Sequence, residues 1–217
     1  MKNTKSEHTK YYNSNGKEVP SCTNIVKLLN KPELVGWANY MGFRKIDVSK
    51  FLNEKAQYGT NCHIIAESYM TGIVLKEPDI SHIMSQFEYD ELLGKLIKLQ
   101  NAFNSLNIQT VFTEMELHGA RFGGTLDLLS RNTITGSYTL FDYKTSKNVY
   151  DSHLIQLAGY SILLEELYGI SVDHIGIILL SKNFEDDNFI NIIKRTDNVK
   201  NEKIFNKLLE IYWIQHE

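Results

Sequence analysis

Three strand-like segments follow one another between residues 108 and 144, with no stretch between them long enough for a helix. In residues 108–118 apolar and polar side chains alternate. Val111, Thr113, Met115 and Leu117 fall on one side, and Phe112, Glu114 and Glu116 on the other. Residues 122–131 form the second segment, and a turn with Asn132 and Gly136 leads to the third, 137–144. An amphipathic helix over about 151–168 follows, closed by Gly169. Residues 172–181 are then apolar enough for a buried strand, 189–194 suit an edge strand, and 198–214 a last helix. This order, β-β-β-α-β followed by a tail, predicts an α+β (mixed α/β) fold with one central mixed sheet flanked by helices.

The region before residue 107 is predicted to be mostly helical. It opens with a small hairpin over 10–19 turning at Asn15-Gly16. Ser21 or Thr23 then caps a short helix ending near Leu29. Pro32 suits the first turn of a helix carrying Leu34, Val35, Trp37 and Tyr40. A longer helix covers about 49–70, interrupted at Gly59 and ended by Thr71-Gly72. Leu92, Leu93, Leu96, Leu99 and Phe103 mark a further helix over 84–106. The expected organisation is a single domain over 1–217: a mostly helical N-terminal region over residues 1–106, a sheet core over 107–195 and a C-terminal helix over 196–217.

Composition narrows the function classes. The 217 residues are 42% hydrophobic and include only three prolines, which fits a packed domain rather than a disordered or collagen-like chain. No apolar run reaches membrane-spanning length, and the polar start, residues 1–10, does not resemble a secretory signal, so a cytoplasmic protein is expected. Cys22 and Cys62, expected as reduced thiols, are too few for a four-cysteine zinc or iron–sulfur site. The net charge of −3 argues against wrapping nucleic acid by bulk positive charge. It leaves room for a local basic groove, or for carboxylates neutralised by a divalent cation.

Four local features carry chemistry. In the third strand, alternation puts Asp142 and Lys144 on one face and Phe141 and Tyr143 on the other. The pair is either a surface ion pair or a carboxylate and ammonium presented together at a site. In the preceding strand, Gly123-Gly124-Thr125-Leu126-Asp127 sets an Asp among apolar neighbours, where it needs a cation or hydrogen-bond donors. The paired glycines would admit a second backbone or a phosphate backbone, or mark a bulge. Antiparallel pairing brings Asp127 and Asp142 side by side, and two such carboxylates suit Mg²⁺ or Mn²⁺. On the long helix, Gly59, His63 and Glu67 share a face. His63 is a nitrogen ligand or half of a surface pair, and Glu67 a ligand, a second-layer partner or a solvated residue. On the helix after the strands, Gln156 and Tyr160 lie one turn apart, away from the packing stripe of Leu154, Leu157, Ala158, Ser161 and Leu164. They are either polar surface residues or partners of a phosphate or of Lys144.

Taken in order, G-x-x-x-H-x-x-x-E, G-G-T-x-D, D-Y-K-T-S-K and Q-x-x-x-Y resemble the PD-(D/E)XK nuclease superfamily, most closely its RecB-like and phage exonuclease branches. The opening Pro20-Ser21-Cys22-Thr23-Asn24-Ile25-Val26, followed by Trp37-Ala38, is similar to the start of those phage enzymes. The resemblance spans roughly 19–182 and implies a restriction-endonuclease-like core and a metal-dependent deoxyribonuclease acting on DNA, in the host cytoplasm if phage-encoded. It implies that His63, Asp127 and Asp142 ligate Mg²⁺ or Mn²⁺ with help from the Tyr143 carbonyl. Lys144 would orient the attacking water, and Gln156 and Tyr160 would hold the phosphate or the Lys. Thr145, Ser146 and Lys147 would grip flanking phosphates, with Arg44, Lys45, Lys50 and Lys55 extending the track or facing solvent. The chain departs from the pattern in two ways. It lacks the four cysteines of cluster-bearing relatives, so no iron–sulfur cluster is expected, and Leu126 stands where the superfamily's Pro precedes the Asp.

Overall fold

A computed structural model describes residues 9–29, 32–75, 77–182 and 188–216; the reading of residues 1–10 as no secretory signal lies almost wholly outside them. The hairpin forms: β1 (Tyr11–Tyr12) pairs antiparallel with β2 (Glu18–Val19), and Gly16 turns the chain at φ +73°. Ser21, rather than Thr23, caps α1 (Cys22–Val26) by accepting the N–H of Asn24. This helix is shorter than expected, ending before Leu29.

α2 (Glu33–Phe43) leads into α3 (Val48–Thr71), which starts on the side-chain cap of Asp47 and stops at Gly72, φ +74°. The expected interruption at Gly59 does not occur. A helical glycine costs about 1 kcal/mol, and the buried second half of α3, with Cys62, Ile65 and Ala66 in the core, carries that cost. A short helix not foreseen, α4 (Glu77–Ile83), precedes α5 (Gln86–Ser105), whose start is a reciprocal Ser85–Glu88 capping box.

The sheet has the order β3-β4-β5-β6-β7, from β3 (Ile108–His118), β4 (Gly123–Asn132), β5 (Tyr138–Lys144), β6 (His174–Leu179) and β7 (Ile190–Lys194). β3, β4 and β5 pair antiparallel, β5 and β6 parallel, and β6 and β7 antiparallel. The parallel step requires a crossover, and α6 (Asp151–Tyr168) supplies it before ending at Gly169, φ +64°. A 3₁₀ turn (Arg195–Asn198) leads to α7 (Val199–Gln215).

Helices cover both faces of the sheet. On one face, Phe103 of α5 packs on Phe141 and His63 of α3 lies edge-on to Tyr143. Over the other lies α6, backed by α1 and α7; Cys22 and Phe205 press so closely on Gly159 that a Cβ there would sit 2.5 Å from Cys22 Sγ. Tyr160 lies in this packed layer, so it is not a surface residue of an amphipathic helix. Its ring fills the space beside Gly124, and Tyr11 fills that beside Gly123. The glycine pair thus admits two tyrosines, together with the Pro20–Ser21 backbone, whose Pro20 carbonyl accepts the N–H of Gly123 at 2.9 Å.

Candidate metal centre

Of the side chains singled out from the sequence, His63, Asp127, Asp142 and Lys144 gather where β4 and β5 part. Their ladder runs from Arg131–Tyr138 to Leu128–Phe141. One residue on, the Asp127 carboxylate takes over as acceptor, receiving the N–H of Tyr143 at 2.6 Å. The strand thereby leaves a carboxylate at its end with one oxygen engaged by the backbone and the other, Oδ1, aimed at His63 Nδ1, 3.5 Å away.

β3 contributes Glu114. The β3–β4 register slips between Thr110 and Phe112, which pushes Val111 outward, and then runs Thr113 to Leu128 and Met115 to Leu126, so Glu114 stands opposite Asp127. Glu114 has φ +44°, a left-handed conformation rare for a non-glycine residue within a strand. Its Oε1 is buried without a hydrogen-bond partner, 3.5 Å from His63 Nδ1. A buried carboxylate oxygen in this state needs a positive charge beside it, which the protonated His63 imidazole or a metal ion can supply.

His63 completes the group from α3. The neighbouring Cys62, Ile65 and Ala66 anchor the helix in the core, which holds the imidazole at the strand ends with 30% of its side chain exposed. Its Nε2 bonds the Tyr143 carbonyl at 3.2 Å, so the other nitrogen faces both carboxylates. Ligand atoms of His63, Glu114 and Asp127 all lie within 4.8 Å of one another. One imidazole and two carboxylates form a donor set that could hold a metal ion.

Asp142 and Lys144 lie beside this group, with Lys144 Nζ 2.5 Å from Asp142 Oδ2. Burial, reinforced by Asp127, pushes Asp142 up to about 6 despite the ammonium. Burial likewise raises Asp127, although His63 and Lys144 oppose it. For His63 burial acts downward, but Asp127, Glu114 and Asp142 outweigh it and hold the imidazole at about 9. Lys144 is also raised: burial lowers it, and Asp142 and Asp127 more than compensate. The surrounding carboxylates therefore favour the protonated form of His63.

The other expected residues fall into three groups. Tyr143 offers backbone groups, but its carbonyl, expected as a metal ligand, is engaged by His63. Gln156 Nε2 donates to Tyr160 Oη at 2.9 Å and lies 3.5 Å from Thr23 Oγ1. Burial, then Cys22, Asp142 and Asp127, push the Tyr160 phenol well above its ordinary value. Glu67, one turn beyond His63, is outside the ligand group. Of the strand-end loop, Ser146 donates to the Asn148 carbonyl, Thr145 lies near Gly59 and Lys147 is exposed. Sequence reading assigned Glu114 no role. Its place opposite Asp127 follows from strand register, and the slip that sets this register leaves no mark in the alternation.

No family model matches the chain, and neither does any curated protein sequence. Among solved structures it is similar to a protein from Eubacterium rectale provisionally named an exonuclease. The two are 18% identical over 73% of this chain, with a TM-score of 0.47, and the chain spans 65% of that protein, a little under two thirds. A second structure, of SSO0001, is 16% identical over 68% of this chain and 71% of that one, with a TM-score of 0.32. The fold itself, a mixed five-stranded sheet flanked by helices, is consistent with the restriction-endonuclease-like architecture. Among the described residues, no helix is long and apolar enough to cross a membrane.

Proposed function

We propose that this chain is a metal-dependent DNA nuclease of the PD-(D/E)XK type, an exonuclease that hydrolyses phosphodiester bonds, with the whole of 1–217 as its nuclease domain. The observation that carries the reading is the convergence of His63, Glu114 and Asp127 within 4.8 Å, next to the Asp142–Lys144 pair. The donor chemistry and the orphaned Glu114 oxygen fit Mg²⁺ or Mn²⁺. When bound, such an ion supplies Lewis acidity to a phosphate oxygen and a nucleophile at neutral pH.

The chain's own groups do the rest. His63, Glu114 and Asp127 would hold the cation, with Asp142 alongside. Asp142 also keeps Lys144 charged and in place, so that the ammonium orients the attacking water and offsets charge developing on the phosphate. Gln156 and Tyr160, bonded to each other, present donors to a phosphate from α6. Thr145, Ser146 and Lys147 lie at the end of β5, where flanking phosphates would pass.

The test is to incubate purified protein with linear and closed circular DNA, with Mg²⁺ or Mn²⁺ and with a chelator. Linear DNA should be degraded only with metal, and circles should survive. Asp142→Ala and Lys144→Ala should each lower the rate by on the order of 10²–10³-fold. DNA binding without cleavage under any metal would instead identify a non-catalytic DNA-binding protein, and cut circles an endonuclease.

A further inference from the structure

α2 and the first turns of α3 leave large apolar side chains uncovered. Leu34, Val35, Tyr40 and Phe43 of α2 are all exposed, Tyr40 by 56% and Phe43 by 89%. A helix apolar on every side is ordinarily buried, so this one has an occupant to find.

Charge identifies the class of occupant. From Phe43 to Lys55, Arg44, Lys45, Lys50 and Lys55 stand against Asp47 and Glu54, with Glu33 at the far end of α2, in a chain whose net charge is −3. The cations are interleaved with rings: the Arg44 guanidinium lies 5.5 Å from the Tyr40 centroid and the Lys55 ammonium 5.6 Å from that of Phe51. Trp37 packs on Phe51 at 5.9 Å and braces α2 against α3. Lys45 has φ +56°, just past the end of α2, a position that commonly carries glycine.

Aromatic faces among cations suit a strand whose bases are unpaired, because rings stack on bases while cations follow phosphates. A duplex hides its bases and leaves such rings idle. The segment is also continuous with the metal centre. α3 runs unbroken to His63, and Phe51 and Lys55 precede it by about 18 and 12 Å at 1.5 Å per residue.

We propose that the α2–α3 arm is a stacking platform for single-stranded DNA, which delivers a strand end along α3 to the metal centre. The delivery rests on the nuclease reading, whereas the binding does not.

The experiment measures fluorescence anisotropy of a labelled 20-residue oligothymidylate and of a 20-base-pair duplex with the full chain. Chelator is present throughout, so nothing is cut. The single strand should bind more tightly than the duplex. The Tyr40→Ala/Phe43→Ala double variant should weaken single-strand binding about tenfold or more. Phe43→Trp should retain binding and Phe43→Leu should weaken it severalfold, which separates stacking from mere apolar cover and carries the test if the double variant misfolds. Lys45→Ala and Lys50→Ala should each reduce the slope of log affinity against log salt by about 0.7. Unchanged single-strand affinity in Phe43→Leu overturns the platform. So does a loss of dimer mass by light scattering in the double variant with DNA binding intact, which would make the arm an interface between copies. A wild-type protein that binds the strand as described but cuts no DNA with Mg²⁺ or Mn²⁺ refutes the nuclease reading and leaves the platform standing.

Discussion

The Asp127 carboxylate accepts the backbone N–H of Tyr143 at 2.6 Å, one residue beyond the last paired rung of β4 and β5. A single side chain therefore closes the strand pair and offers its remaining oxygen to the candidate centre, so the two roles separate by substitution. Asp127→Ala leaves a buried N–H unpaired and should lower the unfolding free energy by about 1–3 kcal/mol in a urea titration. Asp127→Asn keeps an acceptor, so it should unfold close to wild type while losing metal-dependent cleavage. Equal stability of the two variants would show that the hydrogen bond does not hold the strand ends.

Glu114 bears on the centre through charge and position, not through packing. Glu114→Gln preserves shape and should bind Mn²⁺ at least tenfold more weakly in calorimetry, while remaining folded by circular dichroism in chelator. Wild-type affinity in this variant would remove Glu114 from the ligand set.

The elevated His63 imidazole predicts proton-linked metal binding. Held at about 9 without a cation, it is protonated at neutral pH and must lose that proton to ligate. Mn²⁺ affinity should rise as pH increases from 7 towards 9. Calorimetry at pH 7.5 in buffers of different ionisation heat should report about one proton released per ion. The same shift has a stability consequence. The folded-state value lies above the ordinary 6.5, so the contribution is full below 6.5 and is lost as pH rises through about 9. The metal-free protein should thus melt lower at pH 9.5 than at pH 7, and His63→Gln should flatten that difference.

Lys144→Ala strands the buried Asp142 carboxylate. Asp142 already titrates near 6 with its partner present, so without the ammonium it should take up a proton at still higher pH. The destabilisation should be large at pH 8, approaching the ~3–5 kcal/mol of a broken buried pair, and small at pH 5, where the carboxyl is neutral. Equal losses at both pH values would show that the pair contributes through packing alone.

Gly123 and Gly124 test the tyrosine packing. A Cβ at Gly123 would meet Tyr11 Cβ at 2.5 Å and the Leu117 carbonyl at 2.8 Å, and one at Gly124 would meet the Tyr160 ring at 2.5 Å. Gly123→Ala is opposed by backbone, which cannot swing away, so it should cost about 1–3 kcal/mol and disturb the Tyr11–Thr125 hydrogen bond. Gly124→Ala should move Tyr160 off Gln156 and lower cleavage more than stability.

Much of the architecture is local and therefore written in the chain. Alternation marked β3, glycines at 72 and 169 ended α3 and α6, and leucines with Phe103 at helical spacing announced α5. Gly59 misled because a breaker weighs little in a helix whose second half is held by the core. Tyr160 misled because the layer that buries it, α1 and α7 over α6, is assembled from distant segments.

The same division runs through the site. The order of residues along the chain dictated which groups were available: His63 on a helix, Asp127, Asp142 and Lys144 on strands, and Gln156 with Tyr160 one turn apart. How they combine was settled in three dimensions. Folding turned the Tyr143 carbonyl to His63, paired Asp142 with Lys144, and brought Glu114 opposite Asp127 through a register slip and a left-handed backbone angle. The reason is that periodicity and capping act over a few neighbouring residues, whereas register and strand divergence are set by packing between segments far apart in the chain.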